Sequence, residues 1–138
     1  MIDAEVLAYQ LLERDQADAT VRSDIDVTVM DEFPFVSFSI VVGQAIDNHA
    51  PPSGWTASLT INIFDDDLDR AKARALAVYR AVWAWQDPFA GLGIIPGVGH
   101  VSDVADQSIF TRVLTAEVES KWVTQYAGSF ELTVRPPQ

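Results

Sequence analysis

Residues 55–86 read WTASLTINIFDDDLDRAKARALAVYRAVWAWQ and contain the two clearest elements of the chain. Over the first ten residues, apolar side chains alternate with threonine, serine and asparagine, which is the period of a strand with one buried face. Three aspartates follow at 65–67, and acidic side chains favour the N-terminus of a helix. An alanine-rich helix is predicted from Leu68 to Gln86. The stretch therefore predicts a sheet that packs against a helix.

Periodic patterns on either side of this stretch predict the remaining elements. Residues 3–15 have apolar side chains at helical spacing. Strands with alternating faces are predicted at 20–29, 36–42, 101–105 and 122–134, the first two as a hairpin and the last with a bulge at Ala127-Gly128. The order α-β-β-β-α-β-β predicts one α+β domain over residues 1–138, with a mostly antiparallel sheet of about five strands covered by two helices.

The composition excludes several classes of function. Twenty Asp and Glu residues against nine Lys and Arg residues give a net charge of −11, which repels phosphate and argues against a general nucleic-acid binder. The absence of cysteine excludes disulfides and thiolate chemistry. No apolar run is long enough to span a bilayer and the first residues are acidic, so we expect no membrane partner and a cytoplasmic site of synthesis.

We expect no metal site and no cofactor. Asp65, Asp67 and Asp69 match the opening of a calcium loop, but Arg70 stands where the loop needs glycine, and Leu76 stands where it needs glutamate. Capping of the helix is therefore the favoured role of these acids.

We also expect no catalytic residue. His100 and Asp103 are the nearest approach to a catalytic pair, but a strand points them to opposite faces and no nucleophile is recognisable nearby. The glycines at 91–99 match no phosphate-binding motif, because Pro96 stands at the third glycine position of the dinucleotide pattern.

The predicted second helix has two apolar faces. One suits packing on the sheet and recurs every three or four residues: Ala71, Ala75, Val78, Val82 and Trp85. Leu76 and Trp83 lie on a different face, with Arg80 between them. A solvent-exposed tryptophan and leucine on one face predict an oligomer interface, unless both only cover the edge of the core.

The charge is unequally divided along the chain. Residues 1–69 contain 14 acids and 2 bases, for a charge of −12, whereas residues 70–138 contain 6 acids and 7 bases, for +1. Such asymmetry can orient a subunit against its neighbour or form a negative wall along a channel, although an acidic surface also serves solubility.

Several segments together resemble a known family. They are the N-terminal helix, the strand entry PFV at 34–36, the strand at 55–64 that leads into three aspartates and an alanine-rich helix, and the ending VTQYAGSFELTVRP at 123–136. In element order, length and C-terminal strand the chain resembles the tail terminator (tail completion) proteins of long-tailed bacteriophages, particularly those of actinobacterial hosts. The resemblance covers nearly the whole chain.

The resemblance implies a structural protein of the virion, located at the head-proximal end of the tail after assembly in the host cytoplasm. It implies a hexameric ring that stops polymerisation of the tail tube and offers a surface for joining the head. The partners would be the tail tube protein and a head-completion or connector protein, contacted through the loops at 43–54 and 89–99. DNA would pass through the ring without specific binding, along a lumen for which the acidic candidates are Asp24, Asp26, Asp31, Asp65, Asp66 and Asp67.

Two other classes of protein remain open from the sequence. One is a small α+β enzyme or ligand-binding domain with a pocket lined by tryptophans: Trp55, Trp83, Trp85 and Trp122. The other is an acidic protein that mimics nucleic acid, which fits the charge but not the abundant apolar core.

Overall fold

The computed structural model describes residues 2–23, 33–118 and 121–137. Two helices and six strands form an α+β fold, and one sheet has the strand order β1-β2-β3-β6-β5-β4. The elements in chain order are α1 Ala4–Asp15, β1 Thr20–Arg22, β2 Phe35–Ala45, β3 Trp55–Asp65, α2 Leu68–Ala84, β4 Ile94–Ile95, β5 Gly99–Val118 and β6 Lys121–Arg135. The predicted fold class and the two helices are confirmed, and the sheet has one short strand more than predicted.

The first two strands do not form the predicted hairpin. β1 runs parallel to β2, with Thr20 opposite Phe35 and Arg22 opposite Ser37, so the sheet is mixed. Most of the predicted first strand, from residue 24 to 29, lies outside the described residues. The hairpin prediction is wrong because alternation shows which side chains share a face but not the direction of the neighbouring strand.

The predicted bulge in the last strand is also misplaced. β6 keeps an unbroken register with β3 through Ala127 and Gly128. Its register with β5 shifts four times, and each shift leaves one extra residue on β5. Gly128 is needed for another reason, since a Cβ there would lie 2.9 Å from two ring carbons of Phe110 on β5.

Both helices cover the same face of the sheet. The face of α2 predicted to pack on the sheet is confirmed, because Ala71, Ala75, Val78 and Val82 are buried and Trp85 is 1% exposed just after the helix. The core contains side chains from both helices and from the four longer strands, including Leu11, Phe38, Leu59, Ile61 and Phe130. Neither described helix is long and apolar enough to cross a membrane.

Two polar contacts join the end of α1 to α2. The Nε1 of Trp85 donates to Oδ2 of Asp15 over 2.7 Å. The guanidinium of Arg74 donates to both carboxylate oxygens of Asp18, over 2.7 and 2.8 Å, and to Oε1 of Gln16 over 2.8 Å. The hydrogen bonds from Arg74 lower the pKa of Asp18. These contacts connect the C-terminal end of α1 to α2 at Arg74 and at Trp85, and so help to fix how the two helices pack.

Replacement of Asp15 by alanine should lower the free energy of unfolding by about 1–3 kcal/mol, because the buried indole N–H of Trp85 loses its acceptor. Chemical denaturation of the variant measures this change. Gln10→Ala is the control, since Gln10 is exposed on the same helix, and it should alter stability by no more than about 0.5 kcal/mol. Equal stability of the two variants would contradict a structural role for the contact between Trp85 and Asp15.

Candidate interaction surface

Leu76 and Arg80 lie on the solvent side of α2, as the sequence predicted. Leu76 is 51% exposed and lines the same surface as Ile109 of β5, which is 62% exposed, so the two form part of an exposed apolar patch. Arg80 is exposed and makes no ion pair with the described part of the chain. An apolar side chain next to an unpaired cation is a combination that a protein partner is able to cover.

The prediction that Trp83 is solvent-exposed is wrong, because its side chain is half-buried against the core. Its Nε1 donates to Oδ1 of Asp106 over 2.9 Å, and the hydroxyl of Tyr79 donates to Oδ2 of the same carboxylate over 2.8 Å. The rings of Tyr79 and Trp83 stack with centroids 6.3 Å apart. The hydrogen bond to Asp106 raises the pKa of Tyr79. Trp83 therefore joins α2 to β5, and its role in an interface remains a prediction.

A groove of about 570 Å³ runs between α2 and the bulged part of β5. Its apolar lining includes Leu76, Tyr79, Ile109 and Phe110, and Ile109 is 62% exposed. Lys72 and Asp69 also line it. This groove could not be predicted from the sequence, because the extra residues on β5 turn Ile109 out of the alternation expected for a strand.

The three aspartates before α2 have separate structural roles. The backbone N–H of Arg70 donates to Oδ1 of Asp67 over 3.0 Å, so Asp67 is the N-cap of the helix and the capping prediction is confirmed. The side chain of Arg70 forms ion pairs with Asp66 and, over 3.2 Å, with Asp65. In the described ranges, no group of three or more acidic or histidine side chains is placed to hold a metal ion.

Burial separates Asp65 from the other two aspartates. Asp65 is 2% exposed, and burial together with a hydrogen bond to Asp66 raises its pKa. The same hydrogen bond lowers the pKa of Asp66, which is exposed like Asp67. The placement of Asp65 on a lumen surface is therefore wrong, whereas Asp66 and Asp67 reach solvent. Three further lumen candidates lie outside the described residues: Asp24, Asp26 and Asp31.

The remaining sequence candidates do not converge. His100 and Asp103 both lie on β5 but share no hydrogen bond, and burial lowers the pKa of His100. Trp55 pairs with Val134 near one end of β6, while Trp122 lies twelve residues away on that strand, at roughly 40 Å for an extended chain. The four tryptophans therefore cannot line one pocket, and that prediction is wrong.

Comparison with known proteins identifies the fold. No family model and no curated protein matches the chain. A solved chain from the "Virion of native gene transfer agent (GTA) particle" superposes with a TM-score of 0.59 at 20% sequence identity, over 95% of this chain and 93% of that chain. A second solved chain, at 10% identity and a TM-score of 0.42, is too distant to support an argument. The α+β fold is thus shared, over nearly its full length, with a chain of that particle.

Replacement of Asp67 by alanine should destabilise the protein by about 0.5–2 kcal/mol, as expected for loss of an N-cap. Thermal denaturation in calcium and in a chelator measures both stability and metal binding. We expect the wild-type melting temperature to be the same in both solutions. Micromolar calcium binding that disappears in Asp67→Ala would contradict the assignment of Asp67 as a cap alone.

Proposed function

We propose that this protein is a structural subunit of a phage-like virion, which caps the completed tail tube as a hexameric ring. In this role it ends polymerisation of the tube and forms the surface that joins the head. The observation that carries the proposal is the shared fold with a chain of the gene transfer agent virion, over 95% of this chain. The sequence resemblance to tail terminator proteins supports the finer assignment.

The exposed apolar surface supports assembly as the role of the described residues. Leu76, Ile109 and Val113 are each more than half exposed, and they come from α2 and from the neighbouring strand β5. Burial of apolar surface stabilises an association by roughly 25 cal/mol per Å² before the entropic cost of binding is counted. In the proposed ring, contact between subunits would remove this surface from water.

The partners in this role are further copies of the chain, the tail tube protein and a head-completion or connector protein. Asp66 and Asp67 are the described acids that remain candidates for the ring lumen. A negative lumen repels phosphate and lets duplex DNA pass without binding. No catalytic step is needed for any of these contacts.

Replacement of Leu76 by serine should weaken ring formation while leaving the fold nearly unchanged, because half of the side chain is already in water. Light scattering over a concentration series measures the mass of the assembled species, alone and with tail tubes. Leu68→Ser is the matched control, since Leu68 is 43% exposed on the same helix but does not line the groove. Loss of the ring in the control alone would contradict this choice of interface.

Trp83→Ala tests the interface prediction for the half-buried tryptophan. It should weaken assembly, because interface aromatics contribute a large share of binding energy. It should also lower the melting temperature, because the bond to Asp106 and the packing on Tyr79 are lost. If the folded fraction of the variant still forms rings at the wild-type concentration, Trp83 has only a structural role.

The acidic lumen is tested by the structure of the assembled ring. We expect Asp66 and Asp67 to point toward the axis, with negative potential along the passage. A neutral or positive lumen, with these acids on the outer rim, would contradict the lumen assignment without affecting the proposed capping role.

A further inference from the structure

Phe89 is the most exposed large apolar side chain among the described residues, at 98%. It lies at a turn directly after α2, where Oδ1 of Asp87 accepts hydrogen bonds from the backbone N–H of Phe89 over 2.9 Å and of Ala90 over 3.3 Å. These bonds hold the turn that places the phenyl ring in water. An exposed ring on a fixed turn loses little conformational entropy when a partner binds it.

The rest of the loop is also held in place. The guanidinium of Arg14 donates to the backbone carbonyl of Leu92. Gly93 lies so close to the carbonyl of Trp85 that a Cβ there would overlap it, and the N–H of Val101 donates to the Gly93 carbonyl over 3.0 Å. The loop is therefore attached to α1, to the end of α2 and to β5.

The groove between α2 and β5 has the size and the apolar lining to receive the side chain of Phe89. It is open, its apolar lining includes Ile109 and Phe110, and its volume of about 570 Å³ exceeds that of one phenylalanine side chain. Lys72 and Asp69 also line it. Asp87, which precedes Phe89 by two residues, is exposed and carries a charge opposite to that of Lys72.

Phe89 does not occupy the groove of its own chain, because its side chain is 98% exposed and does not line the groove. The groove lies beside the first part of α2, from Asp69 to Tyr79. The helix continues for five residues beyond Tyr79 to Ala84, a rise of about 7.5 Å, and Phe89 follows five residues later. Because the loop is fixed beyond the far end of this helix with its ring in water, the groove is left open to a side chain from another molecule.

We propose that Phe89 of one copy inserts into the α2–β5 groove of the next copy. The two contacting surfaces differ, so each copy uses its loop toward one neighbour and its groove toward the other. Repetition of such a contact gives a closed ring when the rotation between copies closes, and an open filament when it does not. The inference rests on the proposed ring and specifies how its subunits are joined.

Engineered cysteines test this contact directly, because the chain contains no cysteine of its own. Ala90→Cys marks the loop without removing Phe89, and Asp69→Cys marks the groove. A short bifunctional maleimide should convert the double variant into a ladder of covalent oligomers. A mixture of the two single variants should give dimers only, and each single variant alone should give none.

Two controls make the result specific. Phe89→Ser in the double-cysteine background should reduce the yield of cross-linked oligomers at least about tenfold, as expected when a central aromatic side chain is lost. Val41→Ser in the same background should leave the yield unchanged, since Val41 is 68% exposed on β2 and lies outside the loop and the groove. Circular dichroism verifies that both variants are folded.

The outcomes separate the contact from the proposed function. Cross-linking of Ala90→Cys to itself, or a yield unaffected by Phe89→Ser, would overturn the contact, and a ring seen by light scattering would then leave the capping role standing. A ladder that depends on Phe89 but never closes into a ring supports the contact and contradicts the ring.

Discussion

Phe130 on β6 holds three elements of this fold together. It is 2% exposed, and its ring packs edge-on against Tyr79 of α2 and against Phe110 of β5, with both centroid distances 5.9 Å. Aromatic pairs of this geometry contribute about 0.5–1.5 kcal/mol each beyond their buried area. Because β6 also pairs with β3 along most of its length, this cluster fixes the position of α2 and β5 relative to the centre of the sheet. The groove beside α2 depends on that position.

Sequence patterns predicted the elements with an uninterrupted period. β3 pairs with β6 in one continuous register, and the small residues of α2 recur at helical spacing. β5 was predicted only in part, because four extra residues disturb the alternation that identifies a strand. The parallel pairing of β1 with β2 was missed for a different reason. It depends on the path of the intervening chain, about which the pattern of side chains contains no information.

The candidate surface was predicted to the extent that it depends on one helix. The angular positions of Leu76 and Arg80 follow from helical spacing, and both are exposed. Trp83 was placed wrongly because its surroundings depend on Asp106, which is distant in sequence and comes close only through β5. Asp65 was placed wrongly because it is the last residue of β3 and is still covered by the fold, whereas Asp66 has left the strand. The groove was not predicted, because two elements have to meet before it exists.

The extra residues on β5 have a consequence for the behaviour of the protein at high concentration. β5 lies near the edge of the sheet, and β4 pairs with it only at Gly99 and His100 among the described residues. A regular edge of such length offers unpaired backbone groups to any other strand and promotes aggregation. Bulges interrupt the spacing of those groups and increase the local twist, so a second flat strand cannot be added in register. Addition of a strand along this edge is thus disfavoured, and association there is left to side chains, which are specific for their partner.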